Sequence, residues 1–431
     1  MYQSEPKVIS NATLREEVVS RIHESGLPVF FCNKPGYQKR YACFATHFGS
    51  IDSSFRRRGS DVIEVPDGTA HFLEHKLFEG PEANAFEEFS RNGASPNAYT
   101  SSGATNYLFS CNENFFDNLK HLVRFVQKPW FTEENVEKEK GIIGQEIRMY
   151  EDDPGWRMYI NLLEALYHEH PVKKDILGTV ESISGITPAL LDSCYQTFYH
   201  PENMVLFGIG DEQPERFFEA ADEALLERPQ EPLGKLERFF PEEPQEVAEK
   251  QTSAQMAVSM PRFLIGFKDV HPGLLGRELL ESELVTDILL EIIFGQSGEF
   301  FSRLYEQDLI DDNFSGSYSC MQDIGHSIIG GESRAPGEVE EAVLEELRRV
   351  RSSGIDGTDF ERQKRAVFGG FMRQFNSLEF IANNYCGYRF LGVDIFEIID
   401  VLQGITLEDL TRRLETHLDP ERSTISVVVP R

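Results

Sequence analysis

The chain has 431 residues, 40% of them hydrophobic and 26% charged, with a formal net charge of −30 at pH 7. This length and apolar content are sufficient for two packed domains, and no apolar run is long enough to span a membrane. So acidic a surface disfavours binding to nucleic acids and to anionic membranes. The negative field would attract basic peptides or a basic partner, although many proteins are acidic only for solubility.

The N-terminus and the cysteines indicate a compartment. Residues 1–7 contain no basic segment followed by an apolar run, so we expect no secretory signal. The six cysteines have no C-x-x-C spacing, which is typical of reduced, buried thiols rather than of disulfides or metal ligands. We therefore expect a cytoplasmic protein.

Residues 69–78 read as a short amphipathic helix with Thr69 as its expected N-cap. Residues four apart share one helix face, so His71 and His75 can bind one metal ion. Glu74 lies about 100° around the helix from His75, where a carboxylate can take a proton from a metal-bound water. The alternative is that two histidines meet by chance on an amphipathic helix.

Residues 133–147 read as a second helix, charged at first and apolar from Ile142 onward. Glu139 and Glu146 are seven residues apart and so share a face of this helix. A hydrolytic zinc site needs a third protein ligand beside two histidines, usually a carboxylate, and this helix is a suitable source. Taken alone, Glu139 is more typical of a solvated helix face.

The H-x-x-E-H motif, followed after some seventy residues by E-x6-E, resembles the inverzincin zinc peptidases of the pitrilysin, insulysin and mitochondrial processing peptidase family. The resemblance covers nearly the whole chain. The sequence of residues 71–79 and 305–307 is most similar to that of the bacterial YmfH-like branch of the family.

The resemblance assigns roles to residues of this chain. It implies one zinc ion per chain, bound by His71, His75 and Glu146. It further implies that Glu74 is the general base and that Glu139 orients a ligand histidine from outside the metal shell.

The resemblance extends to residues 95–101 and 105–110, which are similar to the family's N-A-x-T strand at the edge of the active site. An exposed edge strand can receive an extended peptide through main-chain hydrogen bonds. The expected substrate-binding residues are Asn97, Ala98, Tyr99 and Thr100. Without the family, these residues would read as an ordinary β-hairpin with a Ser-Ser-Gly turn.

A proline-rich, charged segment, residues 229–244, divides the chain nearly in half and is the expected linker. We expect a zinc-bearing N-terminal domain, residues 1–228, and a homologous C-terminal domain without metal ligands, residues 245–431. The resemblance implies an α+β fold of two homologous domains. Each would be a mostly antiparallel sheet with helices packed on one face, and the two would face each other across a chamber.

Repeated signals support the duplication. Thr187 and Thr406 each precede a helix as expected N-caps, and residues 204–210 and 424–429 read as the closing strands of the two halves. Alignment of the halves places residues 287–291 opposite the metal-binding pentapeptide, and they contain no pair of histidines. The second half therefore has no zinc site of its own.

The second half departs from the family pattern. Active members, or their partner subunits, carry Leu-Arg and, seven residues later, a tyrosine that contacts the developing oxyanion. Here Tyr305 replaces the arginine, Phe314 stands near the tyrosine position, and Arg303 is one turn away. Losing one oxyanion donor costs about 2.7 to 4 kcal/mol in the transition state. We therefore expect a related partner subunit in a heterodimer, with a homodimer as the alternative.

The expected function is a zinc-dependent endopeptidase or oligopeptidase that hydrolyses peptide bonds with a metal-activated water. One alternative is a non-catalytic or weakly active zinc-binding scaffold subunit of a peptidase-like heterodimer, which Tyr305 and Phe314 favour and the intact Glu74 opposes. Another is a metal-dependent hydrolase of a non-peptide amide. A peptide-binding edge strand would separate the last two.

Overall fold

The computed structural model describes residues 5–57, 59–81, 84–226, 233–321 and 323–431. The strands are β1 (Lys7–Asn11), β2 (Glu16–Ile22), β3 (Pro28–Asn33), β4 (Arg40–Thr46), β5 (Ser54–Arg57), β6 (Ile63–Glu64), β7 (Ala94–Thr100), β8 (Thr105–Cys111), β9 (Met204–Gly210), β10 (Leu236–Arg238), β11 (Gln251–Met256), β12 (Arg262–Lys268), β13 (Ser315–Met321), β14 (Ile324–Glu332) and β15 (Ser423–Pro430). The α-helices are α1 (Thr69–Leu77), α2 (Ala85–Arg91), α3 (Phe115–Val126), α4 (Glu133–Glu151), α5 (Pro154–Leu166), α6 (Val180–Ser184), α7 (Pro188–Phe198), α8 (Pro214–Ala224), α9 (Gly276–Phe294), α10 (Glu299–Glu306), α11 (Pro336–Ser353), α12 (Gly357–Gln374), α13 (Leu378–Phe390), α14 (Ile398–Gly404) and α15 (Leu407–Thr416).

The first half is built on a seven-stranded sheet with the order β1-β2-β3-β9-β4-β8-β7. All neighbours are antiparallel except β3 and β9. Strand β7 lies at one edge, where it pairs with β8 alone among the described strands. The outer edge of β7 therefore faces no further described strand, although the Ala98 N–H donates to the Asn97 side-chain oxygen at 2.9 Å.

The second half repeats this plan in a five-stranded sheet with the order β11-β15-β12-β14-β13, again antiparallel except for one pair, β11 and β15. In both halves a helix precedes the edge hairpin: α1 before β7 and β8, and α9 before β13 and β14. The predicted α+β fold of two related halves is confirmed. A small third sheet, β10-β5-β6, lies beside the first.

The two halves exchange helices. Helices α1, α3, α4, α7 and α8 of the first half cover one face of its sheet, while α13 of the second half packs on β4 and β9 at the other face. Conversely, α5 of the first half lies across β11, β12 and β15. Gly266 permits this approach, because a Cβ there would lie 2.9 Å from Leu166 Cδ1. Apart from α5 and α13, the helices that cover each sheet lie on one face of it as predicted, and α5 and α13 join the two halves.

Two predicted helix starts are confirmed and one is wrong. The hydroxyls of Thr187 and Thr406 cap α7 and α15. Helix α1 is instead preceded by Gly68 with φ 91°, and Thr69 is its first helical residue. A Cβ at Gly68 would lie 2.3 Å from the carbonyl oxygen of Leu177, so this crossing of two backbone segments requires glycine.

The six cysteines are free thiols and five of them are buried, as predicted. None joins a group of side chains that could hold a metal in the part of the chain that the structure describes. No described helix combines the length and apolar character needed to cross a bilayer.

The predicted linker is only partly described, because residues 229–232 lie outside the described residues. The rest is fastened to the first half. Leu236–Arg238 pairs with β5, and Arg238 Nε donates to Asp52 Oδ1 at 2.6 Å. The Glu243 carboxylate accepts three backbone N–H groups of residues 168–170, each at 2.8 Å. This segment is therefore a structural strap, and the domain limits themselves stay a prediction.

We expect Glu243→Gln to lower the free energy of unfolding by about 2 kcal/mol at pH 7, because the carboxylate also accepts Lys268 Nζ at 2.5 Å. Burial alone would raise the pKa of Glu243, but Lys268 and the three N–H groups outweigh it and lower the pKa to about 2. A lowered pKa stabilises the fold above the ordinary value of 4.5, and that contribution is lost as the pH falls toward 2.

Urea unfolding of wild type and Glu243→Gln at several pH values measures this effect. The difference between them should shrink as the pH falls below 4.5. The exposed neighbour Glu242, changed to Gln, is the control and should match wild type throughout. A difference that is the same at every pH would show that the charge of Glu243 is not its cause.

Candidate metal centre and active site

Helix α1 presents two histidines to one point. Phe72, Leu73 and Leu77 are buried in the core of the first half and fix the rotation of the helix. His71 and His75 are one turn apart, with ring centroids separated by 4.6 Å. The spacing predicted from the sequence is therefore realised on a helix that cannot turn about its axis.

Helix α4 brings a carboxylate to the same point. Glu146 Oε2 lies 3.8 Å from His71 Nε2 and 3.5 Å from His75 Nε2. Zinc bonds of about 2.1 Å in a tetrahedron place neighbouring ligand atoms about 3.4 Å apart, so these three side chains fit a zinc ion with a fourth position open. Within the described ranges they form the only such group, and α9 of the second half contributes none.

Glu139 supports one of the histidines. His75 Nδ1 donates to Glu139 Oε1 at 3.0 Å, which leaves His75 Nε2 to face the metal position. Glu139 is only 5% exposed, so it does not belong to a solvated helix face. Lys76 is wholly buried beside it, with Nζ 3.8 Å from Glu139 Oε2, and also pairs with Glu79. Lys76 was not among the residues predicted for the site, although a lysine within the apolar stripe of a helix indicates a buried ion pair.

We expect Glu139→Gln to weaken zinc binding by about 10- to 100-fold, because the amide no longer fixes the His75 ring as a charged acceptor. Competition with a chelator of known zinc affinity measures the change. The exposed Glu137, changed to Gln on the same helix, is the matched control and should bind zinc as wild type does. Equal affinity in both variants would exclude a metal-supporting role for Glu139.

Glu74 is buried beside the histidines without joining the three-ligand group. Thr100 Oγ1 on the edge strand donates to Glu74 Oε2 at 2.6 Å. Burial raises the pKa of Glu74, which the Thr100 hydrogen bond only partly opposes. Burial also lowers the pKa of His71 to about 3, so its imidazole is neutral. A buried carboxylate with a raised pKa is suited to accept and return a proton.

A cavity of about 660 Å³ lies between the halves and contains this site. The three ligand side chains and Glu74 line it together with all four residues predicted to bind substrate. The second half closes it with Ser319, Cys320, Met321, Ile324 and His326. The remaining wall includes aromatic residues, namely Tyr150, Trp156 and Tyr159. The edge strand, Glu74 and the three candidate metal ligands thus line one chamber.

The residues taken as replacements of the family's arginine and tyrosine lie elsewhere. Tyr305 is 51% exposed and stacks on Phe301, whereas Phe314 is buried in the core of the second half. Arg303 lies 3.4 Å from Glu346 on the outside of that half. No lysine or arginine of the described residues lines the cavity. The described part of the chamber therefore offers an oxyanion neither a lysine nor an arginine.

Sequence comparison assigns both halves of the chain to one peptidase family. The model described as Insulinase (Peptidase family M16) matches residues 63–180, and the model described as Peptidase M16 inactive domain matches residues 185–367. The chain belongs to peptidase family M16. It is 42% identical, over 99% of both chains, to a Bacillus subtilis protein named Uncharacterized zinc protease YmfH.

Solved structures agree as well. A crystal structure from Alicyclobacillus acidocaldarius, described as a "putative M16-like peptidase", is 37% identical and has a TM-score of 0.92. The match covers 100% of this chain and 99% of that one. Pitrilysin matches with a TM-score of 0.78 at 17% identity, which shows a shared fold, and this chain spans 47% of it. The recognition of the family from its motifs is confirmed.

Proposed function

We propose that this chain is the zinc-bearing subunit of a cytoplasmic peptidase that hydrolyses peptide bonds in oligopeptides or extended segments. One observation carries the proposal. His71, His75 and Glu146 fit a zinc ion in the same chamber in which Glu74 is held by the edge strand through Thr100. Homologues named as zinc proteases support it.

The chemistry divides between the metal and the chain. Zinc, when bound by His71, His75 and Glu146, would acidify a water molecule and polarise the carbonyl of the scissile bond. Glu74 takes the proton of the attacking water and returns it to the leaving amine, so one carboxylate serves both halves of the reaction. The hydroxyl of Thr100 holds Glu74 in place during both transfers.

Strand β7 is the proposed peptide-binding element. A substrate added along its free edge would be held by main-chain hydrogen bonds of alternate residues within the segment from Asn97 to Thr100, because the residues between them face β8. This mode of binding requires an extended chain but no particular sequence. The Thr100 side chain is already engaged by Glu74, so its contact with substrate is through the backbone. The scissile carbonyl would then lie beside the metal ligands in the common cavity.

A related second subunit is the proposed source of a cationic oxyanion donor, in a heterodimer, with a homodimer as the alternative. The absence of lysine and arginine from the described wall of the chamber supports this. The chain's charge of −30 is consistent with peptide substrates and not with nucleic acid or anionic membranes.

The assay compares peptide hydrolysis by the purified, zinc-loaded chain alone and together with a related family member from the same organism. We expect the mixture to be about 10²- to 10³-fold faster, which is the usual effect of one oxyanion donor. If the related subunit does not raise the rate, the heterodimer is excluded and only the homodimer is left.

A zinc-binding scaffold subunit is the second candidate. The chamber without a described lysine or arginine favours it. The hydrogen bond that positions Glu74 opposes it, because a scaffold has no use for an oriented base. The scaffold proposal is correct if two results are found together. The partner does not raise the rate of hydrolysis, and Glu74→Gln has the same rate as wild type while both proteins hold one zinc ion per chain.

A further inference from the structure

A smaller cavity of about 200 Å³ adjoins the chamber, which we call the turn pocket. It shares Ser101 and Met321 with the chamber. Its other walls are the rest of the β7–β8 turn and one face of α13; the lining residues are His47, Gly103, Ala104, Asn383, Asn384, Gly387, Tyr388, Phe390 and Leu391. The volume is below the about 300 to 1,000 Å³ of small-molecule sites, so the pocket suits a single side chain.

Gly387 keeps the turn pocket open. It lies inside helix α13, where glycine costs roughly 1 kcal/mol relative to alanine. Its φ is not positive, and a Cβ added there would meet nothing within 4 Å, so neither backbone conformation nor close packing requires glycine. What glycine does provide is empty space at the wall of the pocket.

The turn pocket has an uncharged, hydrogen-bonded lining. No aspartate, glutamate, lysine or arginine lines it in the described part of the chain. Tyr388 turns its hydroxyl away to donate to Glu283 at 2.9 Å, so its ring is left to form the wall. His47 stacks on Phe390, and burial lowers its pKa to about 3, which keeps it neutral. An apolar group that enters the pocket would therefore not bury a charged side chain away from water.

The wall formed by the turn is held in place before any ligand binds. The Ser101 N–H donates to Ala104 O at 2.8 Å, which closes the turn. The N–H groups of Ser50 and Ile51 donate to the carbonyls of Ser101 and Ser102, each at 3.1 Å. A pocket that needs no rearrangement loses little free energy to ordering when it is filled.

The position of the pocket selects its occupant. Along β7 the side chains alternate: Ala98 packs in the core on the α1 side, and Tyr99 packs in the core on the α13 side. A peptide paired to β7 alternates likewise, so every second side chain points toward α13. The turn pocket opens on that side immediately after Thr100, the residue that contacts Glu74. At about 3.3 Å per residue, it lies within about three residues of the scissile bond.

We propose that the turn pocket binds one aliphatic side chain, of leucine or methionine size, of the peptide held on β7. This rests on the proposed function, because β7 must hold the peptide. The peptidase would otherwise bind its substrate only through main-chain hydrogen bonds. The turn pocket adds a preference for an apolar side chain at one position, on the α13 side of the bound strand.

Binding is measured in the full, zinc-loaded chain carrying Glu74→Gln, so that peptides are not consumed. The probes are fluorescein-labelled serine-rich peptides with a single leucine moved along the sequence. We expect leucine at one position to tighten binding about tenfold. Gly387→Leu, which fills the pocket, should remove that gain and leave the leucine-free peptide unaffected. Gly370→Leu on α12, also a helix glycine with open space at its Cβ, is the control and should keep the gain.

Each result decides the proposal. A leucine gain that survives Gly387→Leu, a loss shared by the leucine-free peptide, or no binding of any peptide overturns it. If the wild-type chain cleaves peptides without a preference for leucine, the proposal for the turn pocket is wrong and the proposed function stands. A leucine gain that depends on Gly387, together with no cleavage by wild type and partner, removes the proposed function and leaves the pocket.

Discussion

Glu74→Gln is expected to lower the rate of peptide hydrolysis by about 10²- to 10⁴-fold while the chain still holds one zinc ion. The glutamine oxygen can accept the Thr100 hydroxyl as Glu74 does, so the local structure should persist. An amide cannot take a proton from the attacking water, so only the proton transfer is lost. Initial rates on a fluorogenic peptide and metal analysis of the same samples measure both quantities.

The matched control for Glu74 is Glu87→Gln, an exposed carboxylate on α2 that should leave both the rate and the zinc content unchanged. A Glu74→Gln enzyme as fast as wild type, with zinc in place, would mean that Glu74 is not the base. Loss of zinc from Glu74→Gln would mean instead that this carboxylate helps to bind the metal.

Glu146→Gln is expected to release most of the bound zinc. The carboxylate is the one anionic member of the proposed ligand group, and its oxygen faces both His71 and His75. Losing that charge should weaken zinc binding by at least about a hundredfold, more than the expected effect of Glu139→Gln outside the shell. Dialysis against a chelator followed by metal analysis measures it.

Glu137→Gln on the same helix is the control for Glu146 and should retain zinc. Zinc retention by Glu146→Gln at wild-type affinity would overturn the ligand assignment. Since activity should fall with the metal, added zinc in excess should partly restore hydrolysis in this variant, which it cannot do in Glu74→Gln.

The metal centre was predictable because its information is local. Helical spacing alone places His71, His75 and Glu74 on α1, and the seven-residue interval places Glu139 and Glu146 on one face of α4. Which of the two glutamates faces the metal was assigned only by resemblance to the family. Their distances from the histidines fit that assignment.

Long-range contacts were not predictable from spacing. The bond from Thr100 to Glu74 depends on how a sheet edge meets a helix, and the exchange of α5 and α13 depends on both halves being folded. Thr69 was wrong as N-cap because a distant carbonyl, that of Leu177, reserves the preceding position for Gly68. Local propensity gave no sign of that neighbour.

The strap formed by residues 233–244 shows the same limit. Its prolines and charges predicted a spacer, yet β10 and Glu243 bind it to the first half. The composition of a segment indicates whether it forms a regular helix or strand. It does not indicate which residues elsewhere in the chain the segment contacts. The sequence of this segment has no hydrophobic periodicity, yet the segment makes specific contacts with the first half.

Zinc titration of peptide hydrolysis tests the central claim most directly. The metal-free chain, mixed with its related subunit, receives zinc in steps while cleavage of a peptide is followed. The proposed site predicts that the rate rises in proportion to zinc and levels off at one ion per chain, with no hydrolysis before the first addition. Hydrolysis by the metal-free mixture, or none once each chain holds one zinc ion, would contradict it.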